Sequence, residues 1–431
     1  MKKEVNKVDK FQGTFIPPGD KSITHRAALI SSIAYGKSVI HNYLRADDCL
    51  RTIVAMQQMG INITEEHGKL IILGKGLYGL EKAEKEIDAG NSGTTMRLLA
   101  GIAAGQNFST TITGDESLSQ RPMDRIIKPL QMMGANVTGR DNKYPPITIH
   151  GKRPLSPIHW ENKTRSAQVK SCILLAGLYA NGTTEITEEV PSRDHTERML
   201  SHYGAEVIIN NNTIKICPEK TRLEGREIHI PGDISSAAFF IAAATLIPNS
   251  ELMVENVGLN PTRTGFIKVL QDMCDNAEAV KIVSLENKNN EPVGKLVIKY
   301  SKLKPINIGP EIIPQIIDEL PLIALLATQA EGVTTISGAQ ELRVKESDRI
   351  KTTVENLSLL GAKIVEKPDG MVISGPTRLK GAEVNSYNDH RICMMLAIAG
   401  LIADGRTIIK DTECVNISFP EFWQWLEKFT T

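Results

Sequence analysis

PGDKSITHRAALISS (residues 18–32) and PGDISSAAFFIAAA (residues 231–244) are two versions of one passage. Each follows an extended run, GTFIP from Gly13 in the first and GREIHI from Gly225 in the second. Each then passes through Pro-Gly-Asp into a segment of small aliphatic residues. Proline and glycine predict a turn, and aspartate predicts the N-cap of a helix. The same helix signature returns four more times. It reads GNSGTTMRLLAG at 90–101, RSAQVKSCILLAG at 165–177, DELPLIALLA at 318–327 and NDHRICMMLAIAG at 388–400. A polar or glycine-containing turn opens every copy, and a run of Ala, Leu and Ile follows.

A second signature alternates with the first. MGINITEEHGKLIIL (59–73), MGANVTGRDNKYPPITI (133–149), YGAEVIINNNTIKI (203–216) and LGAKIVEKPDGMVI (360–373) each close a helix on glycine and then alternate apolar residues about a tight turn. Glycine suits a helix C-cap that needs positive φ, and the alternation predicts a β-hairpin. Near Met273 the match is degraded. Cys274 takes the glycine's place, and a lysine- and asparagine-rich insertion is expected to follow. Each unit is therefore a helix with strands and further connecting elements. Six units predict an α/β chain of two similar domains with three repeats each. The paired Pro-Gly-Asp passages mark the crossovers. The expected domains are 20–230, and 1–19 together with 231–431.

Of 431 residues, 41% are hydrophobic and 23% charged, an ordinary globular balance with room for two cores. Lys and Arg total 50 and Asp and Glu total 50, so no whole-molecule field favours nucleic acid or an anionic membrane. Any anion site must be a local cluster. The N-terminal MKKEVNKVDKFQGTF lacks a signal-peptide apolar core, and no uncharged run is long enough to span a bilayer. The six cysteines are scattered without a CxxC pair, which predicts reduced, buried thiols and a cytoplasmic protein.

The helix starts are where anion chemistry is expected, because unpaired N–H groups and the positive end of the helix dipole attract phosphate and carboxylate. Lys21, Ser22 and Arg26 form one group there, Asn91 to Gly93 with Arg97 a second, and Ser166 with Gln168 a third. Any one of them reads equally well as a simple N-cap, but repetition with added cations predicts an electropositive cleft. Three further clusters add charge. ELRVKESDRIKT from Glu341 gathers Arg343, Lys345, Glu346, Asp348 and Arg349. SQRPMDR sets Arg121 before a proline that would begin a helix, and Arg391 opens an apolar helix. Asp194-His195 and Asp389-His390 are read as caps with a neighbouring histidine rather than dyads. PPGDKS departs from the nucleotide-binding P-loop, since its glycines are wrongly spaced and Asp20 separates glycine from lysine. No HExxH or comparable spacing appears, so no metal and no cofactor is expected to be required.

PGDKSITHRA, GNSGTTMRL, SAQVKS, SRDHTER, PGDISSAAFF, IDELP, LRVKESDR and NDHR stand in the order of the 5-enolpyruvylshikimate-3-phosphate synthases. The chain resembles that family over essentially its whole length. SAQVKS and VKESDR look most similar to the branch that includes glyphosate-tolerant bacterial enzymes. The resemblance implies the "inside-out" α/β fold of enolpyruvyl transferases, two domains of three βαβαββ-type units with the active site in the cleft between them. It implies transfer of the enolpyruvyl group of phosphoenolpyruvate to the 5-hydroxyl of shikimate 3-phosphate with release of phosphate, on the way to chorismate and aromatic amino acids. The implied partners are these two small molecules, with no nucleic acid or membrane, and a monomer is expected.

Carried over residue by residue, Lys21, Ser22, Arg26, Ser166, Ala167, Gln168 and Arg193 would hold shikimate 3-phosphate together with Asp318 and Lys345. Lys21, Gly93, Arg121, Gln168, Arg349 and Arg391 would bind phosphoenolpyruvate. Asp318 and Glu346 would move protons, with Lys345 and Lys21 completing the catalytic set. Where enteric and plant relatives have a lysine before SFPEF, this chain has Ile417, and Lys170 is one candidate to replace that cation. Two other readings stand beside this one. A UDP-N-acetylglucosamine enolpyruvyl transferase would share the fold, although the PGDKSxxHR set suits a phosphate and no cysteine lies on an evident catalytic loop. A non-catalytic anion-binding protein would need the cations but not both carboxylates.

Overall fold

The computed structural model describes residues 1–430. Its contacts divide the chain into two compact units. One holds residues 19–230 with 288–291, and the other holds residues 1–18, 231–287 and the chain from Pro292 onward.

Both units are built from one kind of sheet. In the first unit, strand Tyr35–His41 pairs in parallel with Glu227–His229 and antiparallel with Lys69–Lys75, which in turn pairs with Asn62–Glu66. The sheets around Ser109–Thr113 and Thr184–Thr187 repeat that order, a parallel edge strand followed by a hairpin. In the second unit, Glu251–Gly258 and Gly332–Ile336 organise two more such sheets. The remaining sheet has three strands, Glu383–Asn385 parallel to Arg406–Lys410 and Lys2–Asn6 antiparallel to it.

The Pro-Gly-Asp passages explain how the chain begins each unit. Strand Gln12–Phe15 precedes the first passage and pairs with Glu251–Gly258. Strand Glu227–His229 precedes the second and pairs with Tyr35–His41. A β-carbon on Gly19 would lie 1.9 Å from the Asn42 carbonyl oxygen, and one on Gly232 would lie 2.8 Å from that of Asn256. Both asparagines have positive φ. The two glycines thus serve the same close backbone approach.

The repeated helices form the interior. Ile234–Leu246 is buried from Ile234 to Thr245, and His390–Ile402 from His390 to Leu401. A helix apolar on all sides must be enclosed on all sides. Lys21–Ile33, Gly93–Ala104 and Ala167–Gly177 supply the core of the first unit. Leu174 lies fully buried there, and Leu174→Ala would cost about 2–5 kcal/mol through lost transfer energy and the cavity left behind.

Gly60, Gly134, Gly204 and Gly361 all adopt positive φ at helix ends, as the hairpin signature requires. Cys274 instead continues in extended conformation. The Lys- and Asn-rich stretch after it lengthens the hairpin of this repeat, to two strands of nine residues. It is the tip of a long hairpin, Val280–Lys288 and Glu291–Lys299, with Asn289 and Asn290 turning at positive φ. Pro122, by contrast, does not begin a helix. Helix Asp124–Met132 starts two residues later, and Arg121 closes the short 3-10 turn Leu118–Gln120.

Candidate active site

Five of the six repeated helices have a side-chain N-cap, from Asp20, Ser92, Ser166, Asp233 and Asp389. Helix Leu320–Ala327 has none, and its first turn carries Pro321. Each cap satisfies one orphan N–H of its helix.

In the first unit, Lys21 opens its helix and donates from Nζ to Asp48 Oδ2 at 3.0 Å. Asp48 stands in the first turn of helix Asp47–Gln58. Arg26 lies one turn beyond Ser22 and is buried. Its Nε donates to Thr196 Oγ1 at 2.6 Å, Nη1 to the Ser22 carbonyl at 2.9 Å and Nη2 to Ser171 Oγ at 2.8 Å. Burial pushes this guanidinium down to about 10, with Arg193 nearby adding to the shift and Glu197 and Asp20 opposing it. Arg26 is thus a fixed cation beneath Lys21 and Ser22 rather than a mobile arm.

Gly93 is the first residue of helix Gly93–Ala104 and has no positive φ. Backbone conformation therefore does not demand glycine there. A β-carbon would lie 2.6 Å from Arg97 Nη1 and 3.6 Å from Arg121 Nη1, so an added methyl group would displace the end of Arg97. Two guanidiniums converge on the bare side of this residue. Arg97 Nη1 donates to Gln168 Oε1 at 2.7 Å, and Gln168 Nε2 to Thr94 Oγ1 at 2.8 Å. Arg121 is held by the Asn91 carbonyl, Asn91 Oδ1 and Ser117 Oγ. Gly93, Arg97, Arg121 and Gln168 are thereby one assembly, and Ser166 and Ala167 stand beside Gln168 at the start of their own helix.

Lys170 is not available to replace a missing cation. It is buried, and its Nζ donates to Glu188 at 2.8 Å, Glu197 at 2.7 Å and the Ser192 carbonyl at 3.2 Å. Burial alone would lower its pKa, but the two carboxylates raise it. Ile417 is half-buried against the core of the other unit, an apolar role that a lysine there would not fill.

In the second unit the centre is Arg349, the first residue of helix Arg349–Leu359. Its Nε donates to Asp389 Oδ2 at 2.8 Å, Nη2 to Glu346 Oε2 at 2.7 Å, and Nη1 reaches Asp318 Oδ1 at 3.4 Å. Burial works against that charge, but Asp389, Glu346 and Asp318 hold its pKa above the ordinary arginine value. Beside it Lys345 is half-buried, and burial lowers its ammonium pKa even though Asp318, Glu341 and Glu346 oppose the shift. Arg391 is buried, donates from Nη1 to the Ser235 carbonyl at 3.3 Å and lies over Phe239 at 6.0 Å. Arg263 supports that turn, donating to Ser235 Oγ at 2.7 Å and Asp233 Oδ1 at 3.2 Å, while Ser235 Oγ donates to Glu319.

The sequence does not announce the side-chain pairings of Asp48, Asp389, Glu188, Glu197 and Arg263. Asp389 is more than the cap that its place before the helix predicts. It does cap Arg391 N, but it also accepts from Arg349 and Ser347. Asp194 sits at a helix start, yet pairs with Arg198 at 2.7 Å, and His195 pairs with Glu291. The signal for Asp48 was present in a helix opening on two aspartates, but no spacing rule ties it to Lys21.

Cations gather at capped helix starts in one unit and carboxylates pair on a buried arginine in the other, both within an α/β chain of repeated units. The fold is shared with an enolpyruvyl transferase from Streptomyces tendae, at TM-score 0.78 and 16% identity over 99% of this chain and 96% of that one. The family model for EPSP synthase (3-phosphoshikimate 1-carboxyvinyltransferase) matches residues 5–426, and the chain belongs to this family. It is 52% identical over 430 residues to a 3-phosphoshikimate 1-carboxyvinyltransferase from Thermodesulfovibrio yellowstonii, covering 99% of both chains. It is similar also to the EPSP synthase structure from Acinetobacter baumannii, at TM-score 0.87 and 40% identity over 100% of this chain and 98% of that one.

Proposed function

We propose how this chain's residues divide the work of its family's reaction, transfer of the enolpyruvyl group of phosphoenolpyruvate to the 5-hydroxyl of shikimate 3-phosphate. The observation that carries the proposal is the pair Glu346 and Asp318 on one buried arginine beside a lysine of lowered pKa. The reaction adds an alcohol across an enol ether and then eliminates phosphate. One group must deliver a proton to the methylene carbon while another takes the hydroxyl proton, and elimination removes a proton from the new methyl group. Two separate carboxylates suit those moves. Glu346 serves the methylene carbon and Asp318 the hydroxyl. Lys345 anchors that hydroxyl and stabilises developing charge.

Lys21, Ser22 and Arg26, with Ser166, Ala167, Gln168 and Arg193, hold shikimate 3-phosphate. Gly93, Arg121, Gln168, Lys21, Arg349 and Arg391 receive phosphoenolpyruvate. The support is chemical: arginine's fork matches carboxylate and phosphate, and Gly93 puts no side chain where the Arg97 and Arg121 guanidiniums converge. We take residues 20–230 as one functional domain and the rest as the other, in a cytoplasmic monomer. No helix among the described residues is long and apolar enough to cross a membrane, and all six cysteines are buried thiols.

Phosphate release with both substrates is the deciding assay. Release only when UDP-N-acetylglucosamine replaces shikimate 3-phosphate would favour that sister activity. Binding of both anions without release would reduce the protein to an anion-binding module.

A further inference from the structure

Strand Glu227–His229 lies along Tyr35–His41 in a parallel register that sets Glu227 opposite Val39 and His229 opposite His41. Alternate residues of a strand share a face. Glu227, His229 and His41 therefore stand together on one side, while Ile40 and Ile228 are buried on the other. The two imidazoles stack at 4.1 Å between centroids and 19° between planes. His41 Nε2 lies 2.7 Å from Glu227 Oε1. One ligand atom from each of the three residues falls within 4.8 Å of the others.

We propose that His41, Glu227 and His229 bind a divalent transition metal of the zinc class. Two imidazoles and a carboxylate suit Zn²⁺, Co²⁺, Ni²⁺ and Cu²⁺, and disfavour Mg²⁺ or Ca²⁺, which take oxygen ligands. Bonds of about 2.1 Å in a tetrahedral site put ligand atoms roughly 3.4 Å apart, so closure asks only for a small side-chain movement. Glu227 and His229 are exposed and able to make it. The backbone is already held. His229 N donates to Asn289 Oδ1 at 2.9 Å, Ile230 N to the His41 carbonyl at 3.0 Å, and Asn42 Nδ2 to the Ile230 carbonyl at 2.9 Å.

Three protein ligands leave a further position for water, and none of the three takes part in the proposed reaction. The consequence is structural. Strand Glu227–His229 immediately precedes the Pro231 passage, and a metal would fasten it to Tyr35–His41. HExxH-type spacing could not reveal this site, because its donors come from strands distant in sequence.

The test is Co²⁺ titration of the full chain after chelator treatment, read by visible d–d absorption, with Zn²⁺ as competitor. The expected result is one Co²⁺ per chain, displaced by Zn²⁺. His41→Ala and His229→Gln should each weaken binding at least about tenfold, and the double variant should abolish the band. Zn²⁺ should raise the melting temperature of the unsubstituted protein but not of the double variant. Turnover of the variants in metal-free buffer should stay unchanged, which also shows that they fold. Equal Co²⁺ binding by the unsubstituted protein and the double variant, or no stoichiometric binding at all, would overturn the proposal.

Discussion

A β-carbon on Gly93 would meet Arg97 Nη1 at 2.6 Å, and that atom is the far end of a flexible side chain. Gly93→Ala should therefore fold, with the methyl group standing where Arg97 and Arg121 converge. Glyphosate is a longer anion than phosphoenolpyruvate, so the methyl should raise its inhibition constant by a larger factor than it raises the KM for phosphoenolpyruvate. Equal factors would mean general distortion of the turn and would remove the best support for this assignment. The two carboxylates give a second test. Glu346→Gln and Asp318→Asn should each lower kcat by about a hundredfold or more, the usual size for a positioned acid or base. Shikimate 3-phosphate binding, measured by calorimetry, should survive in both, and near-normal turnover in either variant would end its proposed role. Lys345 adds a pH signature. Burial lowers its pKa, and it is taken to act as the charged ammonium. The basic limb of kcat/KM, which reports the free enzyme, should then fall below the pH expected of an exposed lysine. Lys345→Arg, if active, should move that limb upward, and an unmoved limb would assign it to another group.

At the scale of elements, the six helix starts and the four glycine C-caps were legible because their signals are local. Asp20 and Ser92 each bond an N–H three residues on, and Gly60 or Gly361 needs only its own φ. Partners brought by other elements were not legible. Lys170, Glu188 and Glu197 read as separate charges in sequence, yet they form one buried network. Glu188 also accepts from Asn162 Nδ2 at 2.7 Å and from Ser192 N and Oγ at 3.0 and 2.6 Å, and Asn162 Nδ2 bonds the Ser166 carbonyl at 3.1 Å. The network therefore fixes the turns that carry Ser166 and Arg193. Lys170→Met would leave two buried carboxylates without their cation, which typically costs about 3–5 kcal/mol. Glu197 already has a pKa raised by burial, with Lys170 opposing the shift. Removing the lysine should raise it further, so the lost stability should return partly as pH falls and the carboxylate protonates. Denaturant unfolding across pH would check this. A variant as stable as the parent at neutral pH would show that the triad contributes nothing net. Adding Glu188→Gln and Glu197→Gln to Lys170→Met should recover part of the loss.

For the whole molecule, the repeat count and α/β class followed from periodicity, while sheet order did not. The parallel edge strands Gln12–Phe15 and Glu227–His229 pair with segments far along the chain, and no local pattern announces such partners. Charge behaves likewise. Fifty basic and fifty acidic side chains cancel in the sum, so the cations at the helix starts act as local fields only. Screening shortens from about 10 Å at 0.1 M salt to about 3 Å at 1 M. Substrates approaching those cations from solvent lose attraction over that range, whereas ion pairs already buried, such as Arg349 with Asp389, lose little. The KM for phosphoenolpyruvate should accordingly rise at least roughly threefold between low and high salt, with kcat changing much less. Matched series in NaCl and tetramethylammonium chloride separate this screening from any specific cation effect. The melting temperature of the free protein should not fall in parallel, because its central ion pairs are shielded from solvent. A KM indifferent to ionic strength would mean that hydrogen bonding and shape, rather than clustered cations, govern substrate capture.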